Sequence, residues 1–484
     1  MPLDDLFAIL PEITLAAAGV LILAVDPFLK RRSVAPALTA LACLASGAAA
    51  VLCALEGTGF RLHGTFRSDA FLLLIRLAVA GSGLLLAGLS HRFLRVGRLP
   101  RCEYFALFLF ALSGVGIMAG AVDLILLFIG LEILSLASCV LAAYRRENPE
   151  SAESGVKYFF VGSLSAAVML YGIAWVYGSA GGTRYTAVLD VLSACRSFRE
   201  VPFGLLLGLL MIFAGLFFKL AVVPFHVWAP DVYQGAPSPV SAFLASVPKI
   251  AGFAALVRIA LYATPPEGAF VKPLLAAASV LTMLVGNLAA LRQENLKRLL
   301  AYSSIAHAGY ILLGLLTASG PAYSAVLFYL VVYAVMTIGA FAAVTVLAGE
   351  GDSRVNLDDY QGVGFTRPFL GSTLAICLLS LAGIPATAGF IGKLYLFSAA
   401  LEKGWYAPVL VAIVASLIGA WYYLRVIVVM FTRQRPDDAV EPDLSAGTAT
   451  VLAACGAVSV ALGLYPAQLL DVTARIGSGL VAGH

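Results

Sequence analysis

Three lysines and one glutamate lie inside apolar stretches that are long enough to cross a membrane: Lys219, Lys249, Lys393 and Glu132. A charged side chain in hydrocarbon costs several kcal/mol, roughly 3 on insertion scales, so such residues usually serve a function. Amines and carboxylates both bind and release protons. The pattern therefore predicts a proton-transfer route through the membrane. The alternative is a set of structural ion pairs, and losing one partner of such a pair is also damaging.

Four further residues could support proton transfer. His226 follows Lys219 by seven residues, and a histidine near membrane depth can relay protons around neutral pH. His307 lies about ten residues into another apolar stretch, where it could bridge two half-channels. Glu153 and Lys157 have the favourable i, i+4 spacing of a helix. For His226 the alternative is a satisfied core histidine, and for Glu153 and Lys157 it is a pair at the membrane interface.

The composition requires membrane helices to position these side chains. The chain of 484 residues is 61% hydrophobic and 12% charged, whereas soluble domains contain about 25% charged residues. Apolar runs of about 20 residues recur along it, each able to span a core of roughly 30 Å. They predict an all-α polytopic membrane protein with about 14 transmembrane helices. The predicted spans lie near 6–25, 35–54, 69–90, 104–120, 122–143, 156–178, 203–228, 238–262, 271–291, 297–317, 322–348, 369–400, 405–431 and 446–466.

Two of the predicted spans contain related motifs and a proline. Residues 214–220 read Ala-Gly-Leu-Phe-Phe-Lys-Leu and residues 388–394 read Ala-Gly-Phe-Ile-Gly-Lys-Leu, with Pro224 after the first motif and Pro385 before the second. Paired interrupted helices in two inverted halves are typical of transport sites near the membrane midplane. We therefore expect two inverted five-helix repeats, each with a broken helix. The expected division is 1–100 (three helices), 101–265 (first half, spans 4–8), 266–432 (second half, spans 9–13) and 433–484 (a C-terminal helix).

Basic residues predict the orientation of the chain in the membrane. One set of alternating loops, including those around Arg31, Arg98, Arg145 and Arg298, has about twice as many lysines and arginines as the opposite set. Because basic loops favour the cytoplasm, both termini are expected on the outer side. The basic residues lie in short loops, and the net charge is only +4, so no nucleic-acid partner is expected.

Several cofactor classes are not expected in this chain. The seven cysteines are scattered without a Cys-x-x-Cys motif, which argues against zinc or iron–sulfur ligation. There is no Gly-x-x-x-x-Gly-Lys-Ser/Thr phosphate loop. ATP bound to this chain is therefore not expected to drive any transport.

Three stretches resemble the antiporter-like membrane subunits of respiratory complex I, the NADH-quinone oxidoreductase. They are Phe-Lys-Leu-Ala-Val-Val-Pro-Phe-His-Val-Trp-Ala-Pro-Asp-Val-Tyr-Gln-Gly-Ala-Pro from Phe218, Glu-Asn-Leu-Lys-Arg-Leu-Leu-Ala-Tyr-Ser-Ser-Ile-Ala-His from Glu294, and Ser-Leu-Ala-Gly-Ile-Pro-Ala-Thr-Ala-Gly-Phe-Ile-Gly-Lys-Leu-Tyr from Ser380. The resemblance is strong over roughly residues 100–430. Within the family, the M type has glutamate where this chain has Lys393, and the L type has glutamine where it has His307.

The resemblance implies a proton-translocating subunit in a bacterial inner (plasma) membrane, surrounded by lipid and by other membrane subunits of the complex. It implies Glu132, Lys219, Lys249 and Lys393 as proton-path residues, with His226, Glu153 and Lys157 as helpers. NADH, FMN, iron–sulfur clusters and quinone would bind to partner subunits. Two alternatives remain: a subunit of a multisubunit cation/proton antiporter without a redox partner, and a passive anchor for other subunits.

Overall fold

The computed structural model describes residues 3–25, 28, 34–195, 197–264, 271–432 and 444–482. Its secondary structure is almost entirely helical, as the composition predicts. The helices are α1 (Leu3–Ala8), α2 (Leu10–Val25), α3 (Ala35–Glu56), α4 (Ala70–Val96), α5 (Cys102–Gly120), α6 (Leu124–Ala142), α7 (Pro149–Ala180), α8 (Tyr185–Ala194), α9 (Phe203–Leu220), α10 (Trp228–Gly235), α11 (Ser238–Tyr262), α12 (Val271–Ala290), α13 (Leu296–Leu315), α14 (Gly320–Ala348), α15 (Val363–Thr366), α16 (Pro368–Ala382), α17 (Ala388–Glu402), α18 (Tyr406–Thr432), α19 (Ala446–Leu464) and α20 (Ala467–Ala482).

Short elements connect some of these helices. An antiparallel hairpin pairs β1 (Gly59–Arg61) with β2 (Phe66–Ser68). Single 3-10 turns occupy Leu62–Gly64, Phe198–Glu200, Glu350–Asp352 and Leu357–Tyr360. The hairpin and helices α8 and α20 are absent from the sequence prediction, because each is too short or too mixed in polarity to resemble a membrane span.

Within the described ranges, eleven helices are long and apolar enough to cross a membrane, or up to twelve if the bent pair of Leu357–Thr366 and Pro368–Ala382 forms one span. The polytopic all-α class is confirmed, and the count of fourteen stays a prediction. Two of the predicted spans are helices that fall short of these criteria. Helix α2 has 16 residues, and α13 begins with the basic residues Lys297 and Arg298.

Helices α11 and α14 form the centre of the bundle. All of the apolar 18-residue segment of α11 is buried, as is 89% of that of α14, compared with 22% for α7. Pro248 lies inside α11, where it cannot donate the hydrogen bond that the carbonyl of Leu244 would normally accept. The hydroxyl of Tyr233 donates to that carbonyl instead, at 2.9 Å. The proline next to Lys249 is therefore accommodated without an unpaired backbone group.

Both predicted helix interruptions are confirmed. Helix α9 ends at Leu220, four residues before Pro224, and the chain resumes as α10 at Trp228. Helix α16 ends at Ala382 and α17 begins at Ala388. The related seven-residue motifs, however, lie on opposite sides of the two breaks, since the first motif ends α9 and the second begins α17. They do not occupy matching positions relative to the breaks.

Two buried ion pairs involve the N-terminal helices: one joins them to α11, and the other joins α2 to α4. Arg258 of α11 is 0% exposed and donates to both oxygens of Asp69, at 2.6 and 2.8 Å. Arg76 likewise donates to both carboxylate oxygens of Glu12, at 2.8 and 2.7 Å. Asp69, the N-cap of α4, thus connects the start of that helix to α11.

Some predicted features lie outside the described residues. The loop around Arg31 is one of them, and the predicted boundaries at 265/266 and 432/433 fall within or beside segments of this kind. The division into two halves therefore stays a prediction.

Candidate functional site

The first helix break places a lysine on the last carbonyl of α9. Lys249 of α11 is only 2% exposed. Its ammonium donates to the carbonyl of Leu220 at 3.1 Å and to the carbonyl of Ser304 in α13 at 2.7 Å. A helix that stops inside a membrane leaves its terminal carbonyls without partners, which is tolerated only where the protein supplies donors. Lys249 supplies one of these donors and connects the break to α13.

Other side chains bond to two further polar groups of this break. The indole Nε1 of Trp228 donates to the carbonyl of Phe218 at 3.0 Å. The backbone N–H of Val223 donates to the hydroxyl of Thr282 in α12 at 3.1 Å. The first bond closes the break on itself, and the second connects it to α12.

The second break repeats the contact between a lysine and a terminal carbonyl. Helix α16 ends in a left-handed Gly383 (φ 84°) whose N–H donates to the carbonyl of Leu379 at 3.0 Å. Lys393, 5% exposed, donates to the carbonyl of Ala382 at 2.9 Å and to the hydroxyl of Ser416 in α18 at 2.8 Å. Each interrupted helix thus ends against a buried ammonium group.

Lys219 occupies a different environment. It is 2% exposed, and its ammonium donates to the hydroxyls of Ser135 at 3.0 Å and Tyr158 at 3.1 Å. The predicted partner Glu132 lies on α6 three residues before Ser135 and is half-buried. Among the described residues Glu132 forms no ion pair within 4.0 Å. The carboxylate is near this lysine without bonding to it directly.

His307 lies at the centre of a cluster of hydroxyl groups. It is 1% exposed, its Nδ1 is 2.7 Å from the hydroxyl of Tyr329, and its Nε2 is 3.2 Å from that of Tyr423. Its ring centroid is 5.2 Å from that of Tyr333. The Tyr333 hydroxyl donates at 2.9 Å to the hydroxyl of Ser304, the residue whose carbonyl binds the first lysine. The histidine therefore lies between the first break and α18.

The polar cluster continues from α18 toward the second break. The rings of Tyr422 and Tyr423 are 4.4 Å apart between centroids, and the Tyr422 hydroxyl donates to the amide oxygen of Asn287 at 3.2 Å. The amide nitrogen of Asn287 donates to the hydroxyl of Tyr310 at 3.0 Å. The ammonium of Lys393 lies 4.9 Å from the centre of the Tyr310 ring. Buried polar groups thus extend from one break to the other.

The predicted helper pair lies at the rim of the bundle. Lys157 donates to Glu153 and to Asp231, both at 2.7 Å, and Arg298 donates to the other oxygen of Asp231 at 2.6 Å. Partial burial alone would raise the pKa of Asp231, but hydrogen bonds from Lys157 and Arg298 hold that pKa below its usual value. These side chains are 31–62% exposed, so the geometry is that of an interfacial charge cluster.

His226 lies in the first break. It is half-buried, and its Nδ1 is buried without a hydrogen-bond partner within the part of the chain that the structure describes. It does not join the hydrogen-bonded cluster around His307. The structure brings Lys249, His307 and Lys393 together through intervening serine, tyrosine and asparagine side chains. It leaves Lys219, Glu132, His226 and the rim cluster outside that set.

Sequence reasoning missed several participants. Asp231 and Arg298 complete the rim cluster, and Glu12 neutralises Arg76. The signal for the last pair was available, because a single acidic residue in the first apolar stretch implies a basic partner in another. The tyrosines and Asn287 gave no such signal, since such residues are common in membrane helices.

Comparison with known proteins identifies the family. The model of the family described as "NADH:quinone oxidoreductase/Mrp antiporter, TM" matches residues 121–419. NADH-quinone oxidoreductase subunit N 1 of Solibacter usitatus is 41% identical, over 99% of this chain and 98% of that protein. The chain belongs to the NADH-quinone oxidoreductase subunit N family. Subunit N of Trichlorobacter lovleyi is 37% identical over 96% of each chain. This assignment agrees with the sequence differences noted above, since His307 distinguishes the chain from the L type and Lys393 distinguishes it from the M type.

Solved structures agree with this assignment to the subunit N family. A chain of respiratory complex I from Thermus thermophilus with bound aureothin superposes with a TM-score of 0.82 at 34% identity, covering 96% of this chain and 99% of that one. A chain of the Mrp complex from a Dietzia species superposes with a TM-score of 0.88 at 21% identity, covering 99% and 98%. At that identity the second likeness concerns the fold alone.

The next question is whether this member of the subunit N family has side chains that could bind a metal ion. Within the described ranges, no group of three or more His, Cys, Asp and Glu side chains is arranged to hold a metal ion. The chemistry that the buried groups can perform is proton binding, proton release and hydrogen-bond exchange.

Proposed function

We propose that this chain moves protons across the membrane as the N-type subunit of an NADH-quinone oxidoreductase, a non-redox part of that translocase. Lys219 and Lys249 receive protons from the cytoplasmic side, His307 connects the halves, and Lys393 delivers protons toward the outer side. The observation that supports this most strongly is the buried polar cluster between the two breaks. A lysine lies at each end of this cluster, and each lysine contacts the terminal carbonyl of an interrupted helix.

The supporting roles follow from position. Glu132 lies near Lys219 without a direct bond, so it acts through its charge, favouring the protonated lysine when it is itself ionised. The rim cluster around Lys157 and Asp231 is the entry region, and His226 assists beside the first break. The two halves, residues 101–265 and 266–432, are the proposed inverted units.

Partner subunits supply the energy in this proposal. The matched relatives are named as NADH-quinone oxidoreductase subunits, and a matched chain of known structure belongs to a respiratory complex I. NADH, FMN, iron–sulfur clusters and quinone would therefore bind elsewhere in the assembly. The chain would lie in the inner membrane with both termini on the outer side, in contact with other membrane subunits.

Replacement of Lys249 tests the proton route. Lys249→Met removes the titratable ammonium group and its two hydrogen bonds. Lys249→Arg keeps a cation that can donate hydrogen bonds, but a guanidinium group cannot release a proton at accessible pH. We expect both variants to lower NADH-driven proton uptake and the coupled reduction of quinone by at least about tenfold, since a required transfer step is lost. Proton uptake would be followed with a pH-sensitive dye in vesicles that contain the intact complex.

The control is Lys403→Met, the same substitution at an exposed position at the end of α17. It should leave pumping unchanged. NADH oxidation by an artificial acceptor, together with the yield of assembled complex, would establish that each variant complex is complete. If a complex containing Lys249→Arg pumped normally, position 249 would need only a permanent positive charge, and the proposal would be contradicted.

The antiporter alternative rests on the fold that this chain shares with the Mrp complex. Identities of 37–41% with subunit N relatives favour the redox-driven reading. Purification of the native assembly separates the two, because the proposal requires dehydrogenase subunits to co-purify with this chain. A passive anchor would tolerate both substitutions at Lys249.

A further inference from the structure

A large cavity lies at one membrane surface, away from the buried lysines. Its volume is about 1300 Å³. It is bounded by the last turns of α4 and α14, the start of α7 and the first turn of α19. Leu89 and Phe93 of α4 and Val346 of α14 contribute apolar wall. Because these walls belong to transmembrane helices, the cavity extends from the surface toward the hydrocarbon layer.

The other walls of the cavity are strongly basic. Five arginines line it, against two glutamates, Glu103 and Glu147. A guanidinium group offers a planar set of donors that fits phosphate oxygens in pairs and is less strongly hydrated than an ammonium. An excess of positive charge at the mouth of an apolar cavity favours a ligand that is anionic at one end and apolar at the other. The arginines are Arg92, Arg98, Arg145, Arg146 and Arg354.

Contacts between loops build the basic rim. Arg145 donates to the carbonyl of Gly351 at 2.7 Å, which joins the loop between α6 and α7 to the loop after α14. Gly349 has φ 67°, and a β-carbon there would collide with the guanidinium of Arg354. The basic edge of this cavity is therefore a defined arrangement of two loops that are distant in sequence, and it is separate from the rim cluster around Asp231.

We propose that this cavity binds an acidic phospholipid, with the phosphodiester at the arginines and the acyl chains along α4 and α14. Basic pockets between transmembrane helices are suited to anionic headgroups. The apolar walls distinguish this ligand from a free phosphate ion, which would leave them exposed to water. The excess of arginines over glutamates selects against lipids whose headgroup amine cancels the phosphate charge. This site is separate from the proposed proton route and does not depend on it.

Photolabelling of the intact complex tests the site. The purified complex would be depleted of lipid and exposed to limiting amounts of a phosphatidylglycerol analogue with a photoreactive group near the headgroup end of one acyl chain. Labelled peptides would be mapped by mass spectrometry. We expect labelling of the cavity segments of α4 and α14, and at least tenfold less labelling of them by the matching phosphatidylcholine analogue.

Variants assign the recognition to the arginines. Arg98 and Arg146 are exposed rim residues, and each cation near an anionic lipid contributes roughly a fivefold change in affinity. The double variant R98Q/R146Q should therefore lower cavity labelling by about 25-fold. Arg95, also exposed on α4 but outside the cavity lining, is the matched control, and R95Q should keep labelling within about twofold.

Several outcomes would overturn the proposal. Equal labelling by phosphatidylcholine would mean a lipid contact without headgroup selection. Suppression of labelling by millimolar inorganic phosphate to the level of the double variant would mean a free-phosphate site. An unlabelled cavity in the intact complex would mean that another subunit covers it. The comparison of headgroups uses the unaltered protein, so it holds even if the double variant assembles poorly.

Discussion

At both helix breaks a terminal carbonyl needs a hydrogen-bond donor inside the membrane, and different residues meet that need at the two breaks. At the first break, Ala221 takes the left-handed conformation (φ 55°) after α9, and at the second break Gly383 takes it (φ 84°) after α16. The last carbonyl of each helix accepts a hydrogen bond from a lysine, but the lysine of the first break belongs to α11 and that of the second to α17. Similar end geometry therefore arises from different connections.

The segments after the breaks also differ. Helix α10 has only 8 residues and is held from outside by Lys157 and Arg298 through Asp231. Helix α17 has 15 residues and is held from within, because the N–H of Gly389 donates to the hydroxyl of Ser380 at 3.0 Å. Both breaks have core contacts, but only the segment after the first break is also held by charges at the rim.

Gly383→Ala should have the largest effect on stability among substitutions at the breaks. A left-handed conformation costs a residue with a β-carbon about 1–2 kcal/mol, and that carbon would lie 3.0 Å from Cδ of Lys393. We expect a loss of roughly 1–3 kcal/mol and impaired pumping through displacement of the lysine. Thermal midpoints of the purified complex measure the first effect, and dye-monitored proton uptake the second. An unchanged midpoint would mean that the second break tolerates alanine as the first does.

Ala221→Gly is the reciprocal change and should have a smaller effect. Glycine removes the conformational cost of φ 55° but adds backbone entropy to the unfolded chain, and the two terms nearly cancel, leaving about 1 kcal/mol or less in either direction. The same midpoint measurement applies. A loss as large as that of Gly383→Ala would show that the methyl group of Ala221 is needed for packing.

Asp231→Asn should have the smallest effect, and the effect should depend on pH. The pKa of Asp231 is below its usual value in the folded protein, so its contribution is fully present above the unfolded pKa of about 3.9 and is lost as the pH falls through the folded pKa. The side chains of Asp231 and its two partners are 31–42% exposed, which limits the contribution to about 0.2–1 kcal/mol. The midpoint difference from the unaltered complex should be present at pH 7 and should shrink as the pH falls below the unfolded pKa. A difference that persists in acid would indicate lost packing instead.

The sequence predicted the helical class and both interruptions because long apolar runs and prolines within them act locally. It also predicted the buried depth of Lys249 and Lys393, since a lysine stem cannot reach the surface from the middle of a span. The carbonyl partners of those lysines were not predictable, because Leu220 and Ala382 become acceptors only where their helices stop. The stops lie before Pro224 and Pro385, where packing decides the last helical residue.

The side chains that connect the two breaks were equally unpredictable from the sequence. His307 drew notice as an ionisable residue, whereas Tyr329 and Tyr423 matter only because three separate helices meet at its ring. The repeated lysine motif led to the pairing of Lys219 with Lys393, but it is Lys249 that makes the corresponding contact with a helix end. A short sequence match preserves residue types without preserving position relative to a break.

The buried pair of Arg258 and Asp69 has a consequence for cutting this chain. Asp69 caps α4 and pairs with Arg258 in the last part of α11, so a buried ion pair connects the first hundred residues to the segment that follows. A truncated protein that starts at residue 101 would retain Arg258 without its counter-ion, at a cost of several kcal/mol. The N-terminal helices therefore stabilise α11 and are not a detachable accessory.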